Sequence, residues 1–248
     1  MINKSRLTLM VLALVLVASA SAATIELTIS GPYYNLAQAE AARAAWAGSA
    51  PWFVIENFEG YTANQDTGFA SLFSPLGTFQ VDPTGSGSNA AGTGLNEMLL
   101  LDPSQTRFSG RYNTTPGGNR WLDSNDITNF TLDLTLPTST LFFFMTDVED
   151  VGNAGHLMIT VQDSTAGSVQ QIFSLSPLAN GSTFFVGIRS DALIQQLRWF
   201  NEERNDGFGL DDFGTLLQQD DPVIPEPSTY ILLGSALLGA AFLRRHRR

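Results

Sequence analysis

The sequence predicts an all-β fold, an antiparallel two-sheet sandwich of jelly-roll-like type, with one short N-terminal helix and a C-terminal transmembrane helix. Two observations predict the sandwich. Short apolar segments with a period of two recur from Phe53 onward, and turns rich in Gly, Asn and Asp separate them. After the first helical pattern no second one of note follows, so nine to eleven strands must bury their apolar faces against each other.

The helix is predicted over residues 35–48. Asn35 is a suitable N-cap and Gly48 a suitable stop. Leu36, Ala39, Arg43 and Trp46 recur at roughly helical spacing. We therefore expect a short amphipathic helix that lies on a larger element.

The strands are predicted from alternation and from apolar runs. Residues 130–136 alternate apolar and polar side chains and stop at Pro137, whereas 141–145 are continuously apolar. Alternation or apolar character recurs at 157–161, 173–175, 183–188 and 193–200. A Gly- and Ser-rich stretch, 83–94, is predicted to be a long flexible loop within one domain.

The chain divides into three segments with different predicted roles. Residues 1–22 have the form of a secretory signal peptide, with Lys4 and Arg6 before an apolar core and small residues up to a cleavage site after Ala22. Residues 24–221 form the predicted exported β-sandwich domain. Residues 222–248 form a separate C-terminal tail.

The tail contains three parts in order. Pro225, Glu226 and Pro227 precede an uncharged stretch, 230–243, and a basic end follows. The stretch is somewhat short for a bilayer, yet it is long enough for a marginal span. By the positive-inside rule, four arginines would hold the C-terminus in the cytoplasm: Arg244, Arg245, Arg247 and Arg248.

This arrangement resembles the PEP-CTERM sorting tail of Gram-negative bacteria. The resemblance implies export through signal peptidase and a transient inner-membrane anchor. It also implies recognition of the Pro-Glu-Pro motif by an exosortase, cleavage nearby, and delivery to the cell surface or extracellular polysaccharide matrix. The alternative is a plain tail anchor with a proline-rich linker.

The charge pattern excludes several partners. All 24 acidic residues lie between Glu26 and Glu226, where seven arginines and no lysine give a net charge of −17. Nucleic acid and anionic lipid are poor partners for such a surface, because phosphate binding needs clustered cations. Cations, neutral glycans and basic proteins fit it better. Cysteine is absent, so disulfides and thiolate sites are excluded.

Motifs for catalysis are missing. The exported segment has one histidine, His156, in a predicted Gly-flanked turn, and no Gly-x-Ser-x-Gly elbow. A zinc site lacks histidine and cysteine ligands. No carboxylate pair is singled out for glycoside cleavage, so a hydrolase is only a remote alternative. We predict no catalytic residues.

Calcium is the predicted cofactor, since it prefers carboxylate and carbonyl oxygens in Gly-bearing loops. Two acidic clusters qualify, at 147–150 and at 205–212, and neither has EF-hand spacing. An ordinary solvated turn is the alternative, and it is favoured for the first cluster. The second cluster contributes Asp206, Asp211 and Asp212 as candidate ligands.

A distant partner supports the second cluster. Asn57-Phe58-Glu59 opens the β region, and Leu210-Asp211-Asp212-Phe213 closes it. This pairing resembles calcium-containing jelly-roll carbohydrate-binding modules, in which a first-strand Phe-Glu meets a last-strand Asp-Asp at a structural ion. The resemblance implies that Glu59, with Asp211 or Asp212, binds calcium. The same core also resembles the domains that commonly precede PEP-CTERM tails, which mostly have no assigned activity.

A sugar-binding site would need an exposed aromatic ring. The candidates are Trp46, Trp52, Trp121 and Trp199, of which Trp199 shares the inward register of Leu197 and is predicted to lie in the core. Trp121 is the preferred ligand-binding residue, and a loop tryptophan that caps the sandwich edge is the alternative. The sequence thus predicts a non-catalytic matrix or adhesive protein, with a calcium-stabilised polysaccharide-binding module as the alternative.

Overall fold

The computed structural model describes residues 24–83, 97–105, 108–148, 155–175, 180–202 and 207–217. These residues lie within one compact unit, Ala23–Leu217. The predicted signal peptide, the predicted sorting tail and most of the Gly- and Ser-rich stretch lie outside the described residues. Among the residues described, no helix is long and apolar enough to cross a membrane.

The unit contains twelve strands and one helix in the described ranges. In chain order they are β1 Ile25–Tyr33, α1 Leu36–Ala47, β2 Trp52–Glu56, β3 Asn64–Phe69, β4 Ser71–Phe73, β5 Gly77–Val81, β6 Met98–Leu101, β7 Trp121–Asp123, β8 Asn129–Thr146, β9 Gly155–Asp163, β10 Ser168–Leu175, β11 Thr183–Asn201 and β12 Gly209–Leu216. The prediction of an all-β fold with one short N-terminal helix is confirmed.

Two long strands build both layers of the sandwich. The first half of β8 pairs with β5 and with the second half of β11, whose other edge carries β9 and then β10. The second half of β8 pairs with the first half of β11 and with β12. Beyond these lie β1 on one side, and β2 and β7 on the other. All pairings are antiparallel, so one hydrogen-bonded sheet folds into two layers.

The core lies between the two layers. Phe79 of β5 and Phe213 of β12 have ring centroids 5.5 Å apart, and Phe143 of β8 lies 5.6 Å from Trp199 of β11. These four side chains are fully buried. The apolar positions predicted around residues 130–132 and 157–161 therefore point into the core between the two layers. Trp199 is a core residue, as predicted.

The structure corrects the predicted strand ends. Residues 130–136 and 141–145 belong to one strand that continues through Pro137, and 183–200 belong to one strand as well. Proline is tolerated there because the register between β8 and β11 shifts near Thr138, where each strand crosses from one layer to the other. Strand β1, which precedes the helix, was not predicted.

Helix α1 covers the outer face of one layer. Asn35 caps it, since its Oδ1 accepts a hydrogen bond from Ala37 N at 2.9 Å, and the helix ends at Gly48 with a φ of 62°. We call the fully buried residues beneath it, Phe142, Phe144 and Phe185, the covered face. Gly187 allows close approach, because a Cβ there would lie 2.6 Å from the Trp46 ring.

Candidate functional site

The two ends of the β region meet at one side chain, Asn113. Its Nδ2 lies 2.9 Å from Glu59 Oε1, 3.1 Å from Asp211 Oδ2 and 2.7 Å from the carbonyl oxygen of Arg120. The family resemblance implied that Glu59 meets Asp211 or Asp212, and in the structure Glu59 and Asp211 contact the same amide. Asn113 itself was not predicted, because nothing in its local sequence distinguishes it from other loop asparagines.

Asp211 is buried and heavily hydrogen-bonded. Its Oδ2 accepts bonds from Thr114 N at 2.6 Å and Thr114 Oγ1 at 3.0 Å, while its Oδ1 accepts from Asp212 N at 2.8 Å. Burial and the neighbouring charge of Asp212 raise the pKa of Asp211 well above its ordinary value, and the bonds from Thr114 oppose that rise. The carboxylate is thus a structural acceptor that holds the 113–115 loop on β12.

Asp212 contacts the helix rather than Asn113. Its Oδ1 accepts from Thr115 Oγ1 at 2.5 Å, and its Oδ2 lies 3.7 Å from Nη1 of Arg43 in α1. The φ of Asp212 is 52°, which turns its side chain against the normal alternation of β12. Burial raises the pKa of Asp212, whereas the Thr115 bond and Arg43 lower it.

The predicted metal ligands are therefore only partly assembled. Glu59 and Asp211 converge, Asp212 pairs with Arg43, and Asp206 lies outside the described residues. Over the described ranges, no group of three or more His, Cys, Asp or Glu side chains could hold a metal ion. What does converge is a set of three oxygens around Asn113, which has only two N–H bonds to offer them.

The loop that closes over Glu59 is shaped for this carboxylate. Glu59 Oε1 accepts bonds from Asn119 N and Arg120 N, both at 2.8 Å. A Cβ at Gly118 would lie 2.4 Å from the same oxygen, so a larger residue there would displace the Glu59 carboxylate from this position. Two carboxylates and a carbonyl are oxygen donors of the kind that calcium takes, and Asn113 would have to turn its amide so that Oδ1, rather than Nδ2, faces them.

The first acidic cluster contains an ion pair. Asp147 Oδ2 lies 3.6 Å from Nε of Arg111, and Nη1 of the same arginine lies 2.9 Å from Oδ1 of Asp123. All three residues are buried. Asp147 is therefore not the solvated turn residue that the sequence favoured; Glu149 and Asp150 lie outside the described residues.

His156 lies on strand β9 rather than in the predicted turn. It is half exposed, and its Nδ1 lies 2.7 Å from Glu202 Oε2. The imidazole thus contacts a carboxylate at the surface of the sheet.

Trp121 does not offer a sugar platform in this structure. It is 2% exposed and packs with Leu99, Leu101 and Phe108 in a small apolar cluster. The loop position inferred from its glycine-rich neighbourhood is in fact strand β7, and burial leaves no open ring face on which a sugar could stack. The alternative, a loop tryptophan that caps the sandwich edge, does not describe it either, because β7 pairs with β12 on one side and β6 on the other.

An uncovered polar surface lies on the other layer. Two rows of side chains cross its six strands in register, and none of their members is buried. The first row is Ser71, Gln80, Thr131, Arg198, Thr160 and Gln170. The second row is Phe73, Thr78, Asp133, Gln196, Gln162 and Ser168. We call these twelve residues the open face.

Hydrogen bonds order several side chains on and beside the open face. Gln196 Nε2 donates to Asp133 Oδ1 at 2.6 Å, and Arg198 Nε donates to Asn129 Oδ1 at 2.8 Å. Phe73 closes the second row at its β4 end and is 77% exposed. The sequence predicted Thr131 and Asp133 as polar positions of a strand, but it could not show which strands place their polar sides next to theirs.

The tail gives the clearest likeness to known proteins. Residues 223–248 match the PEP-CTERM protein-sorting motif. The tail is a PEP-CTERM sorting signal. This motif implies processing by an exosortase, and with it export and sorting to the cell envelope or surface. The resemblance inferred from Pro225, Glu226 and Pro227 is thereby confirmed, while the rest of the chain lies outside this match.

Solved structures with a similar β-sandwich include carbohydrate-binding modules. The CBM22-1 xylan-binding domain of Paenibacillus barcinonensis Xyn10C is 10% identical, with a TM-score of 0.37, over 69% of this chain and 99% of that chain. The family 11 module of Clostridium thermocellum Lic26A-Cel5E is 10% identical, with a TM-score of 0.33, over 71% and 99%.

A longer chain is similar over one part. The CBM22-1–GH10 modules of Clostridium thermocellum xylanase 10B, solved with xylohexaose, are 12% identical, with a TM-score of 0.34, over 69% of this chain. The match spans 29% of that longer chain. No curated protein matches this chain in sequence.

Proposed function

We propose that this chain is a non-catalytic protein of the Gram-negative cell surface or exopolysaccharide matrix, whose exported domain binds polysaccharide through the open face. Signal peptidase would release its N-terminus. The tail would hold it transiently in the inner membrane until an exosortase cleaves near Pro225–Pro227. The role is adhesive: the domain attaches the cell or its matrix to a glycan.

The open face is the observation that carries the binding role. Its side chains are amides, hydroxyls, one carboxylate and one guanidinium, which between them donate to and accept from sugar hydroxyls. Six strands at about 4.8 Å spacing give a row of about 24 Å, long enough for several sugar rings. Phe73 supplies an exposed ring at one end, on which an apolar sugar face can stack.

The charge of the face favours a neutral glycan. Arg198 and Asp133 are its only charged members, and Arg198 also lies 3.8 Å from Asp82 beside the face. The net charge of −17 on residues 26–226 would repel acidic polymers. We therefore expect an uncharged polysaccharide as the ligand.

The buried carboxylates support a non-catalytic role. A glycoside hydrolase needs two carboxyl groups that flank a bound sugar. Asp211 and Asp212 are each about 1% exposed and accept bonds from Thr114 and Thr115, so neither faces a space for substrate.

Calcium is proposed to stabilise the domain. Glu59, Asp211 and the Arg120 carbonyl would be ligands, with Asn113 turning its amide oxygen toward the ion. With free calcium at about 100 times the dissociation constant, stability would rise by about 2.7 kcal/mol. Thermal unfolding of the purified chain in millimolar calcium and in chelator measures this, with Glu59→Gln and Asp211→Asn as ligand variants and Asp191→Asn as the control.

Equal unfolding temperatures for the wild type in calcium and chelator would remove the metal proposal. So would a calcium response that both ligand variants keep in full. Loss of the response in the ligand variants but not in Asp191→Asn would support it.

Binding is tested on a polysaccharide panel that includes the host's own exopolysaccharide. The purified chain should bind at least one neutral polysaccharide saturably. Phe73→Ala should weaken binding about 10-fold, as expected for loss of one stacked ring worth about 1–1.5 kcal/mol. Tyr34→Ala, which removes an exposed ring elsewhere, is the matched control and should bind like the wild type.

A structural matrix role is the second candidate. The acidic, lysine-free surface favours it, because such a surface holds water and cations. Absence of saturable binding across the panel would overturn the adhesive role and leave this one.

Sorting is tested in the native host by replacing Glu226 with Ala. The altered chain should keep its tail, so its mass should exceed that of the processed wild type. A normal processed mass would contradict cleavage directed by this motif.

A further inference from the structure

Most of the large apolar side chains exposed among the described residues lie in one region. Trp52 is 38% exposed, Phe53 44%, Leu136 69%, Leu193 49% and Leu217 48%. Isolated exposed apolar residues are ordinary on protein surfaces, but a cluster of them marks an interaction site.

Backbone pairing places three of these residues, Trp52, Phe53 and Leu217, at one end of strands β2 and β12. Thr215 pairs with Phe53, Leu216 pairs with Trp52, and Leu217 N donates to the Pro51 carbonyl at 2.7 Å. Thr215 Oγ1 also lies 3.0 Å from Thr138 Oγ1.

Thr138 connects this group to the remaining two residues, Leu136 and Leu193. It follows Leu136 by two positions and pairs with Ile194, which follows Leu193. The cluster therefore lies where β8 and β11 cross between layers. We call these five residues the apolar end.

The apolar end is also where the chain leaves the described domain. Leu217 is its last described residue, and twelve residues separate it from Tyr230, where the uncharged stretch of the sorting tail begins. At about 3.6 Å per residue those twelve residues reach at most about 43 Å. If the tail spans the bilayer as proposed above, a tether of this length would keep the domain near the membrane for as long as the tail is uncleaved.

We propose that the apolar end rests on the lipid surface of the membrane while the tail is anchored. Tryptophan and phenylalanine side chains partition to the boundary between lipid headgroups and acyl chains, and leucine contributes apolar area there. Because the domain is acidic and Asp191 precedes Leu193 by two residues, the surface it fits is zwitterionic lipid rather than anionic lipid. Exosortase cleavage then frees a domain whose open face is available to glycan.

The sequence itself permits a direct test, because it contains no cysteine. Phe53→Cys and Tyr34→Cys each give one labelling site for an environment-sensitive fluorophore. Tyr34 follows Tyr33, which pairs with Thr183 and through it with Thr146. Thr146 is eight residues along β8 from Thr138, about 26 Å away, so Tyr34 is a matched exposed aromatic far from the apolar end.

The full chain is placed in phosphatidylcholine vesicles through its own tail, with lipids that carry a spin label near the headgroup. The label at position 53 should be quenched at least 3-fold more than the label at position 34. Phosphatidylglycerol vesicles should reduce that difference. A label at Leu136→Cys should repeat the result, which guards against misfolding of the Phe53 variant.

Equal quenching at positions 53 and 34 in phosphatidylcholine would overturn the proposal. So would shielding of position 53 that requires a protein partner, since the apolar end would then be a protein-binding surface. Adding Leu217→Ser and Leu193→Ser to the Phe53→Cys chain should reduce lipid quenching, and an unchanged value would also contradict the proposal.

Discussion

The covered face and the open face are outer surfaces of the same two strands. On the second half of β8 and the first half of β11, the outward residues are Phe142, Phe144 and Phe185, which are fully buried under α1. On the other halves, the outward residues include Thr131 and Arg198, which face solvent. Each of these two strands thus has an apolar outer surface along one half and a polar outer surface along the other.

The two outer surfaces therefore suit different roles: the aromatic one stabilises the fold, and the polar one is free to bind a ligand. An aromatic exterior has to be covered, and here the helix covers it at the cost of making that face unavailable to a ligand. A polar exterior is stable against water and stays accessible. The functional surface of this domain is therefore expected on the layer that has no helix, although the more conspicuous aromatic residues lie on the other.

The largest expected effect is a loss of stability from a substitution in the covered face. Phe185→Ala should lower the free energy of unfolding by about 3–5 kcal/mol, because it leaves a cavity between α1 and the sheet. Thr160→Ala on the open face should change it by less than about 0.5 kcal/mol. Chemical denaturation of both variants measures the contrast, and similar losses would show that the two faces do not differ in this way.

A second contrast uses one arginine from each region. Arg43 is 6% exposed, stacks 4.0 Å from the Trp52 ring centre and pairs with Asp212. Arg43→Met leaves that buried carboxylate unpaired, so a loss of about 3 kcal/mol is expected. Arg198 is solvent-exposed in its pair with Asp82, so Arg198→Met should cost at most about 1 kcal/mol. Equal losses in thermal unfolding would contradict the burial assigned to Arg43.

The smallest effect concerns pH. Burial raises the pKa of Glu56, although bonds from Phe58 N and the Tyr61 hydroxyl oppose the rise. A raised pKa means that the folded state binds the proton more tightly than the unfolded state does. The resulting stabilisation is complete below the unfolded pKa, near 4.5, and is lost as pH rises through the folded pKa.

Glu56→Gln removes this titration and keeps the shape of the side chain. At each pH, the unfolding temperature of the variant is compared with that of the wild type. This difference should favour the variant more at pH 7 than at pH 4. An unfolding temperature that differs from the wild type by the same amount at both pH values would show that Glu56 does not titrate with a raised pKa.

Local pattern predicted the fold class well. Alternation of apolar residues and turn chemistry identified the segments that form β8 to β11, and the N-cap and C-cap located the helix closely. The joining of separate segments into β8 and β11 was not predictable, because Pro137 ends a strand by every local rule. Only the shift in pairing near Thr138 explains why the strand continues.

The sites were predicted less completely, since they depend on nonlocal pairing. The meeting of Glu59 with Asp211 followed from a family resemblance, but the positive φ that turns Asp212 toward Arg43 has no local signal. Trp121 was placed in a loop from its glycine-rich neighbourhood, whereas pairing with β6 and β12 buries it. The open face exists only once six strands are in register.

The most direct test of the binding role compares two double variants in titrations with the neutral polysaccharide that binds best. Gln196→Ala with Arg198→Ala removes two hydrogen-bonding groups from the centre of the open face. Gln38→Ala with Glu40→Ala removes two polar groups from α1 and is the control. We predict about a 100-fold loss of affinity for the first and none for the second, with both variants folded. Equal affinities would contradict the assignment of glycan binding to the open face.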